Sequence, residues 1–126
     1  MRRGLFIFLF LWASLVPAFA GGAVESKLYF GLSRPDGGQV EEAQWRDFLA
    51  RDVTPRFPDG LTVLNSFGQW RAPDNRIVSE ATKVLIIVHP ASVEAMKALA
   101  EIKAIYCKRF HQISVFQTDQ DVRVVE

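Results

Sequence analysis

Two residues near the end of the chain, Cys107 and His111, have the types and the spacing of a thiol and its base. A spacing of four residues brings two side chains to one face of a helix, and a neighbouring imidazole can activate a thiol as a nucleophile. The apolar pattern of the predicted helix, however, ends at Phe110, and no third group is evident that could orient the imidazole. We therefore interpret Cys107 as a small, half-buried apolar residue rather than as a nucleophile.

Metal and phosphate sites are not indicated by the sequence. His89 and His111 lack the short spacing of metal ligands, and no cluster of carboxylates stands near either of them. The glycines Gly31, Gly37 and Gly38 form neither a GxGxxG loop nor a loop followed by Lys-Ser or Lys-Thr. We therefore expect no metal ion and no other cofactor.

Polar and aromatic residues at predicted strand ends and in tight turns are the remaining candidates, because a rigid scaffold often holds ligand-contacting groups there. The candidate binding residues are Tyr29, Arg34, Arg56, Asp59, Gln69, Trp70 and His89. The alternative is structural, since tight turns use such residues for their own hydrogen bonds. In that interpretation Asp59 stabilises a Pro-Asp-Gly turn, Arg56 binds nearby carbonyl groups, and His89 either caps backbone groups or packs beside Pro90. The sequence does not identify a ligand.

The first 20 residues have the pattern of an export signal and are set apart from the fold. A basic pair, Arg2 and Arg3, precedes an apolar stretch over residues 5–16, and an Ala-Phe-Ala sequence suited to signal peptidase ends at Ala20. A proline interrupts the apolar stretch well short of the roughly 20 residues that a spanning helix needs. The alternative is an uncleaved anchor. We expect cleavage after Ala20, which leaves residues 21–126 without a membrane anchor, in the periplasm or secreted.

Mass spectrometry of the exported protein is expected to find an N-terminus at Gly21, because the small residues before it form the cleavage pattern. Retention of residues 1–20 on the mature form would contradict the signal-peptide interpretation and indicate a membrane anchor.

Length, charge and cysteine content limit the classes of protein that remain. The chain of 126 residues has room for one domain, residues 21–126. Loss of Arg2 and Arg3 lowers Lys plus Arg from 15 to 13 against 14 Asp plus Glu, which gives a net charge of −1. Such a domain lacks the basic surface that binds nucleic acid or anionic membranes. With a single cysteine, no disulfide can form within the chain, so packing must hold the fold.

Hydrophobic patterning predicts six elements in the order strand, helix, strand, strand, helix, strand. The predicted strands cover residues 27–33, 61–70 and 76–89, and the predicted helices cover residues 41–53 and 90–110. The last strand is predicted within residues 111–126, with an apolar run at 113–116, and residues 122–125 either pair again or trail along an edge. Ser92 is the expected N-cap of the second helix, and Met96 is placed on its buried stripe. This order is the split βαβ arrangement, and right-handed crossovers place both helices on one face. The predicted fold is therefore α+β, a ferredoxin-like βαββαβ unit with a four-stranded antiparallel sheet.

One face of that sheet is left without helices. Tyr29, Leu64, Trp70 and Phe116 are predicted to lie on it, and large exposed apolar patches usually contact a partner or a ligand. The simplest cover is a second copy of the chain, because a two-fold contact needs only one self-complementary patch. We therefore expect a homodimer through the open face, with Trp70 as its main anchor.

Five motifs in order resemble a family of small exported bacterial proteins known as domain of unknown function 3574. The motifs are LYFGLSRP at residues 28–35, WRDFL at 45–49, VTPRFPDGLTV at 53–63, GQWR at 68–71 and KVLIIVHP at 83–90. The resemblance spans nearly the whole of residues 21–126 and implies export and a single compact α+β domain. It implies no particular activity or cofactor, so no catalytic residue is carried over.

Two functions from different classes remain open. The first is a non-enzymatic, exported binding or interaction domain whose open sheet face pairs with another subunit or protein. The second is a small cofactor-independent enzyme of the dimeric α/β-barrel type, which uses the same unit around a pocket. An enclosed pocket that holds Tyr29, Trp70 or His89 with two converging polar groups favours the enzyme. A shallow apolar face favours the interaction domain.

Overall fold

The structure is a computed structural model that describes residues 22–126. Its strands are β1 (Ala23–Gly31), β2 (Thr62–Arg71), β3 (Ile77–Pro90) and β4 (Phe116–Val122), and its α-helices are α1 (Glu42–Phe48) and α2 (Val93–Phe110). The strands form one antiparallel sheet in the order β2-β3-β1-β4. The predicted α+β class and βαββαβ order are confirmed. The predicted signal segment, residues 1–20, lies outside the described residues.

Helix α1 covers one face of the sheet because its apolar side chains fall on a single stripe. That stripe buries Trp45 and Phe48. A π-helical turn, Leu49–Val53, continues α1 and keeps Val53 on the buried side. The predicted helix over residues 41–53 is therefore confirmed in extent, with its last turn wound more widely than an α-helix.

Helix α2 packs beside α1 on the same face. Its predicted N-cap is confirmed, since the Ala95 N–H donates to Ser92 Oγ at 3.1 Å. The placement of Met96 in the core is wrong, because this side chain is 43% exposed. The buried stripe of α2 consists of Ala95, Leu99, Ile102, Tyr106 and Phe110. Met96 follows Ala95 and lies at the edge of this stripe that faces solvent. No helix within residues 22–126 is long and apolar enough to cross a membrane.

An aromatic cluster forms the centre of the core between the sheet and the helices. The Phe30 ring of β1 lies 5.1 Å from that of Trp45 and 4.7 Å from that of Tyr106. Edge-to-face pairs of this kind contribute roughly 0.5–1.5 kcal/mol beyond the area that they bury. The Tyr106 hydroxyl donates to the Gly31 carbonyl at 2.7 Å, and burial raises its pKa. The tyrosine is therefore a neutral core donor.

Strand β4 lies within residues 111–126, as predicted, but further along the chain than the apolar run. The strand begins at Phe116, whereas the run over residues 113–116 lies mostly in the connection, where Ile113 is 99% exposed. Within residues 22–126, β4 pairs with β1 alone, and an edge strand with one covered face needs few apolar residues. Its Gln-Thr-Asp-Gln-Asp sequence therefore lacks the apolar alternation on which the prediction relied. β1 likewise begins earlier than predicted, at Ala23.

Strands β2 and β3 extend past the rest of the sheet as a two-stranded arm. The pairing of β1 with β3 ends at Gly31 opposite Thr82. Beyond this point, β2 is the one strand of the described part of the chain that pairs with β3. We call residues 67–81 the hairpin arm. Its tip is a turn in which Asn75 has a φ of 70°, a conformation that asparagine tolerates well. Phe67 and Ile77 are exposed on the arm.

Candidate functional site

The sheet face opposite the helices carries a row of apolar side chains across all four strands. From β2 to β4 the row consists of Leu64, Val84, Tyr29 and Phe116, each in register with the next. The rings of Tyr29 and Phe116 are 5.6 Å apart, and Leu64 and Phe116 are 49% and 66% exposed. We call these four residues the open-face cluster. The predicted placement of Tyr29, Leu64 and Phe116 on the face without helices is confirmed.

Polar and small residues border the open-face cluster along the strands. On the side away from the arm, Lys27 Nζ lies 3.3 Å from Glu25 Oε1. On the side toward the arm, the Glu80 carboxylate covers Gly31, and a Cβ at Gly31 would come within 2.8 Å of Glu80 Oε2. An apolar centre with a polar border is the composition of a protein interface.

Trp70 lies on the same face as the open-face cluster but further out, on the hairpin arm. It is in register with Val78 and is 53% exposed, so it is not a core residue. It lies six positions after Leu64, which corresponds to about 20 Å along an extended strand. The adjacent Gln69 points to the other face, where its Nε2 donates to Ser79 Oγ at 3.4 Å.

A half-open cavity of about 280 Å³ lies at the opposite end of β3 from the arm. The turn after α1, the end of β3 and the first turns of α2 form its walls. Three of the candidate binding residues, Arg56, Asp59 and His89, line it together with Glu94 of α2. The structure therefore brings together three of the seven candidates. Arg34 lies elsewhere, in the loop after β1, where it pairs with Asp36 at 2.7 Å.

The turn that carries Asp59 is held by backbone geometry and by Arg56. Gly60 has a φ of 137°, a region that favours glycine, and its N–H donates to the Phe57 carbonyl at 3.3 Å. Arg56 Nη1 donates to the Asp52 carbonyl at 2.8 Å, as the structural interpretation predicted. Arg56 Nε also donates to Glu101 at 3.1 Å. The charge of Arg56 is therefore compensated within the protein.

His89 is 1% exposed, and both of its ring nitrogens take part in hydrogen bonds. Nδ1 donates to the Pro90 carbonyl at 2.8 Å, because a carbonyl oxygen can only accept. Nε2 lies 2.7 Å from Ser26 Oγ, and the Ser26 hydroxyl donates to Asp119 Oδ1 at 2.6 Å. His89 therefore presents carbon atoms of its ring, rather than a free nitrogen, to the cavity.

Hydrogen bonds link His89 through Ser26 to Asp119, a residue of the edge strand β4. Burial opposes ionisation of Asp119, but hydrogen bonds from Ser26 and Gln117 outweigh it and hold the pKa of Asp119 below its usual value of 3.8. The buried imidazole is thus connected to a carboxylate through one serine hydroxyl.

Sequence reasoning missed Ser26, Asp119 and Glu94. Ser26 precedes the predicted first strand, which begins at residue 27. Asp119 lies beyond the apolar run at 113–116 that marked the last strand, so neither residue was given a position in a strand. Their contact depends on the pairing of β1 with β4, in which Ser26 lies opposite Asp119. No local motif marks such a long-range pair. Glu94 could be placed at the start of α2, but its distance from the turn of Asp59 could not.

Cys107 and His111 do not form a nucleophile and its base. α2 ends at Phe110, and His111 has a left-handed φ of 54° with its N–H directed to the Cys107 carbonyl. Burial raises the pKa of the Cys107 thiol, although Lys103 acts in the opposite direction. The thiolate is therefore disfavoured, which supports the interpretation of Cys107 as a half-buried apolar residue.

The variant Cys107→Ser is expected to lose less than roughly 1.5 kcal/mol of unfolding free energy, because the change is nearly isosteric at a half-buried position. Chemical denaturation of the two proteins measures the difference. A folded Cys107→Ser protein that has lost its function would instead assign a chemical role to the thiol.

Within residues 22–126, no three side chains of His, Cys, Asp or Glu are grouped so that they could hold a metal ion.

Comparisons with known proteins give a family and a fold. Residues 25–125 match the family described as "Protein of unknown function (DUF3574)". No curated protein matches the chain. A phage SAM lyase in complex with S-methyl-5'-thioadenosine is 19% identical, with a TM-score of 0.63 over 86% of this chain and 88% of that chain. The apo state of a phage SAM lyase is 18% identical, with a TM-score of 0.59 over 86% and 87%. At these identities the likeness shows the fold alone.

Proposed function

The chain belongs to the DUF3574 family, and we propose that this member is an exported, non-enzymatic interaction domain that acts as a homodimer. The observation that carries the proposal is the open-face cluster, an apolar row that crosses all four strands of the sheet and that no helix of residues 22–126 covers. The segment before Ala20 supports export, since it has the composition of a signal peptide.

Covering the open-face cluster is energetically favourable. Complete burial of a large apolar side chain contributes about 1.5–3 kcal/mol relative to exposure. A two-fold dimer counts each contributing residue twice, so Leu64 and Phe116 of both protomers stabilise one interface. The polar border, which includes Lys27 and Glu25, would then lie at the rim, where charges remain hydrated.

Trp70 fits this arrangement as an anchor. It projects from the same face as the open-face cluster, and the residues between Leu64 and Trp70 on that face are the small Ser66 and Gly68. Consider a two-fold axis that runs between the two sheets, parallel to them and perpendicular to the strands, at the level of these two small residues. Such an axis would bring Trp70 of each protomer onto the open-face cluster of its partner. The small residues at the axis let the two sheets approach closely.

Co-purification of two differently tagged copies tests the proposed homodimer. We expect the tagged copies to purify together, and we expect Trp70→Ala in both copies to reduce the co-purified amount without loss of the fold, because Trp70 is exposed in one protomer. Ile113→Ala is the matched control, since Ile113 is exposed in the connection between α2 and β4 and should leave co-purification unchanged. Copies that do not co-purify would contradict the homodimer.

A second candidate function is favoured by the fold likeness to the phage SAM lyase. In this alternative the protein is a cofactor-independent enzyme of the dimeric α/β-barrel type that cleaves SAM, as a lyase does. The arrangement of His89 favours it less, because both ring nitrogens are already hydrogen-bonded and the imidazole offers no free nitrogen to the cavity. Incubation with SAM, with heat-denatured protein as the control, tests it. Enzyme-dependent formation of S-methyl-5'-thioadenosine would support the lyase, and unchanged SAM would exclude it.

A further inference from the structure

We propose that the cavity at the end of β3 binds a small organic cation, that is, a compound with an apolar body and one ammonium or similarly charged group. This site is separate from the open-face cluster, so it can be tested whether or not the protein dimerises. Three features of the cavity, namely its shape, its exposed strand edge and its charge, support this class of ligand.

The size and the lining of the cavity suit a small apolar body. Its volume of about 280 Å³ is at the lower end of the range of ligand pockets, roughly 300–1,000 Å³. Phe57, Pro58, Ala95 and Ala98 give it apolar walls. A single aromatic ring with a short substituent fits such a space, and contact with these walls supplies the apolar part of the binding free energy.

The edge of β3 supplies backbone groups to the same cavity. β2 pairs with β3 only as far as Thr62 opposite Ile86, so on the side of β3 away from β1 no strand of residues 22–126 pairs with its end. Backbone groups alternate in direction along a strand. The Ala81 carbonyl accepts a hydrogen bond from the N–H of Leu32, which follows β1. The backbone groups of odd-numbered residues in β3 therefore point toward β1, and those of Val88 point away from β1, to the side of the cavity that Val88 lines. The Val88 carbonyl is therefore placed to accept a hydrogen bond from an ammonium group.

The uncompensated charge of the cavity is negative. Asp59 and Glu94 line it, and within residues 22–126 neither carboxylate has a salt bridge. The cationic side chain in the lining, Arg56, is already bonded to Glu101, and both ring nitrogens of His89 already take part in hydrogen bonds. A cation that enters the cavity is attracted by the carboxylates of Asp59 and Glu94 and can also contact the Phe57 ring.

The beginning of α2 does not reverse this preference. A helix N-terminus favours anions, but the Ala95 N–H is already bonded to Ser92 Oγ, and Glu94 itself stands in the first turn. An incoming anion would therefore meet a carboxylate at the position where it would otherwise find free N–H groups.

NMR titration of the ¹⁵N-labelled protein with three probes of nearly equal size tests the proposal. The probes are benzylamine, which is a cation, benzyl alcohol, which is neutral, and benzoate, which is an anion. We expect benzylamine to shift the amide signals of residues 56–60 and 88–98 and to bind about tenfold more tightly than benzyl alcohol at low ionic strength. Benzoate should bind more weakly than either.

Variants separate the contribution of charge from that of shape. The double variant Asp59→Asn/Glu94→Gln should lower the affinity for benzylamine to that for benzyl alcohol, whereas Asp74→Asn, at the tip of the hairpin arm, should leave it unchanged. Ala98→Leu fills the cavity and should abolish binding of both probes. The proposal is overturned if benzylamine binds no better than benzyl alcohol, if the shifted signals lie elsewhere, or if Ala98→Leu still binds. If the double variant does not fold, the three probes on the unmodified protein still decide the question.

Discussion

The double variant Leu64→Asp/Phe116→Asp is expected to be monomeric at concentrations at which we expect the unmodified protein to be a dimer. Both side chains are exposed in one protomer, so aspartate at these positions costs the fold little. In the dimer each new carboxylate would be buried against apolar residues of the partner, and an unpaired buried charge is strongly unfavourable. We expect the dissociation constant of the dimer to rise at least about 100-fold, as measured by sedimentation velocity.

The matched control for this variant is Val93→Asp/Ile113→Asp. Val93 and Ile113 are also exposed apolar residues, but they lie at the start of α2 and in the connection to β4, away from the open-face cluster. The control should remain dimeric. If both double variants dissociate equally, or if Leu64→Asp/Phe116→Asp stays dimeric, the open face is not the interface.

The second large effect is expected for Ser26→Ala, which removes the hydroxyl between His89 and Asp119. The buried His89 Nε2 would lose its hydrogen-bond partner, and hydrogen bonds to charged groups contribute about 1.5–3 kcal/mol. We expect a loss of about 2–3 kcal/mol in unfolding free energy at neutral pH, measured by chemical denaturation. A loss below roughly 0.5 kcal/mol, the range of ordinary surface changes, would contradict this account of the network.

Acid should remove the part of this stability that depends on Asp119. The pKa of Asp119 is lower in the folded protein than its usual value of 3.8, so ionised Asp119 stabilises the fold above that pH, and the contribution is lost as the pH falls through the folded value. Asp119→Asn should therefore be less stable than the unmodified protein at neutral pH, with the difference shrinking in acid. Asp121→Asn, on the same strand and face, has no such bond and should show no difference at neutral pH.

Much of the fold could be predicted from local pattern because the helices and the inner strands carry strong apolar periodicity. The alternation through Leu28 and Phe30 indicated β1, and the apolar run of β3 indicated a strand at the centre of the sheet. Strand β4 gave no such signal, since an edge strand can be polar. Asp119 was therefore not placed in a strand, and its bond to Ser26, which depends on pairing between distant segments, could not be found.

The candidate site was predicted by position rather than by proximity. Arg56, Asp59 and His89 were chosen because turns and strand ends hold ligand-contacting groups, and the structure places these three around one cavity. Tyr29 and Trp70 were chosen as aromatic residues of the open face, and they lie there at some distance from each other. Which candidates meet depends on how the turn after α1 packs against α2, a tertiary contact that no local pattern encodes.

Sedimentation equilibrium of the unmodified protein across the micromolar range tests whether the protein forms a homodimer. We expect the weight-average mass to rise with concentration to twice the mass of one chain, because two copies cover the open-face clusters of each other. A mass equal to that of a single chain at every concentration would contradict the homodimer and leave the open face to a different partner.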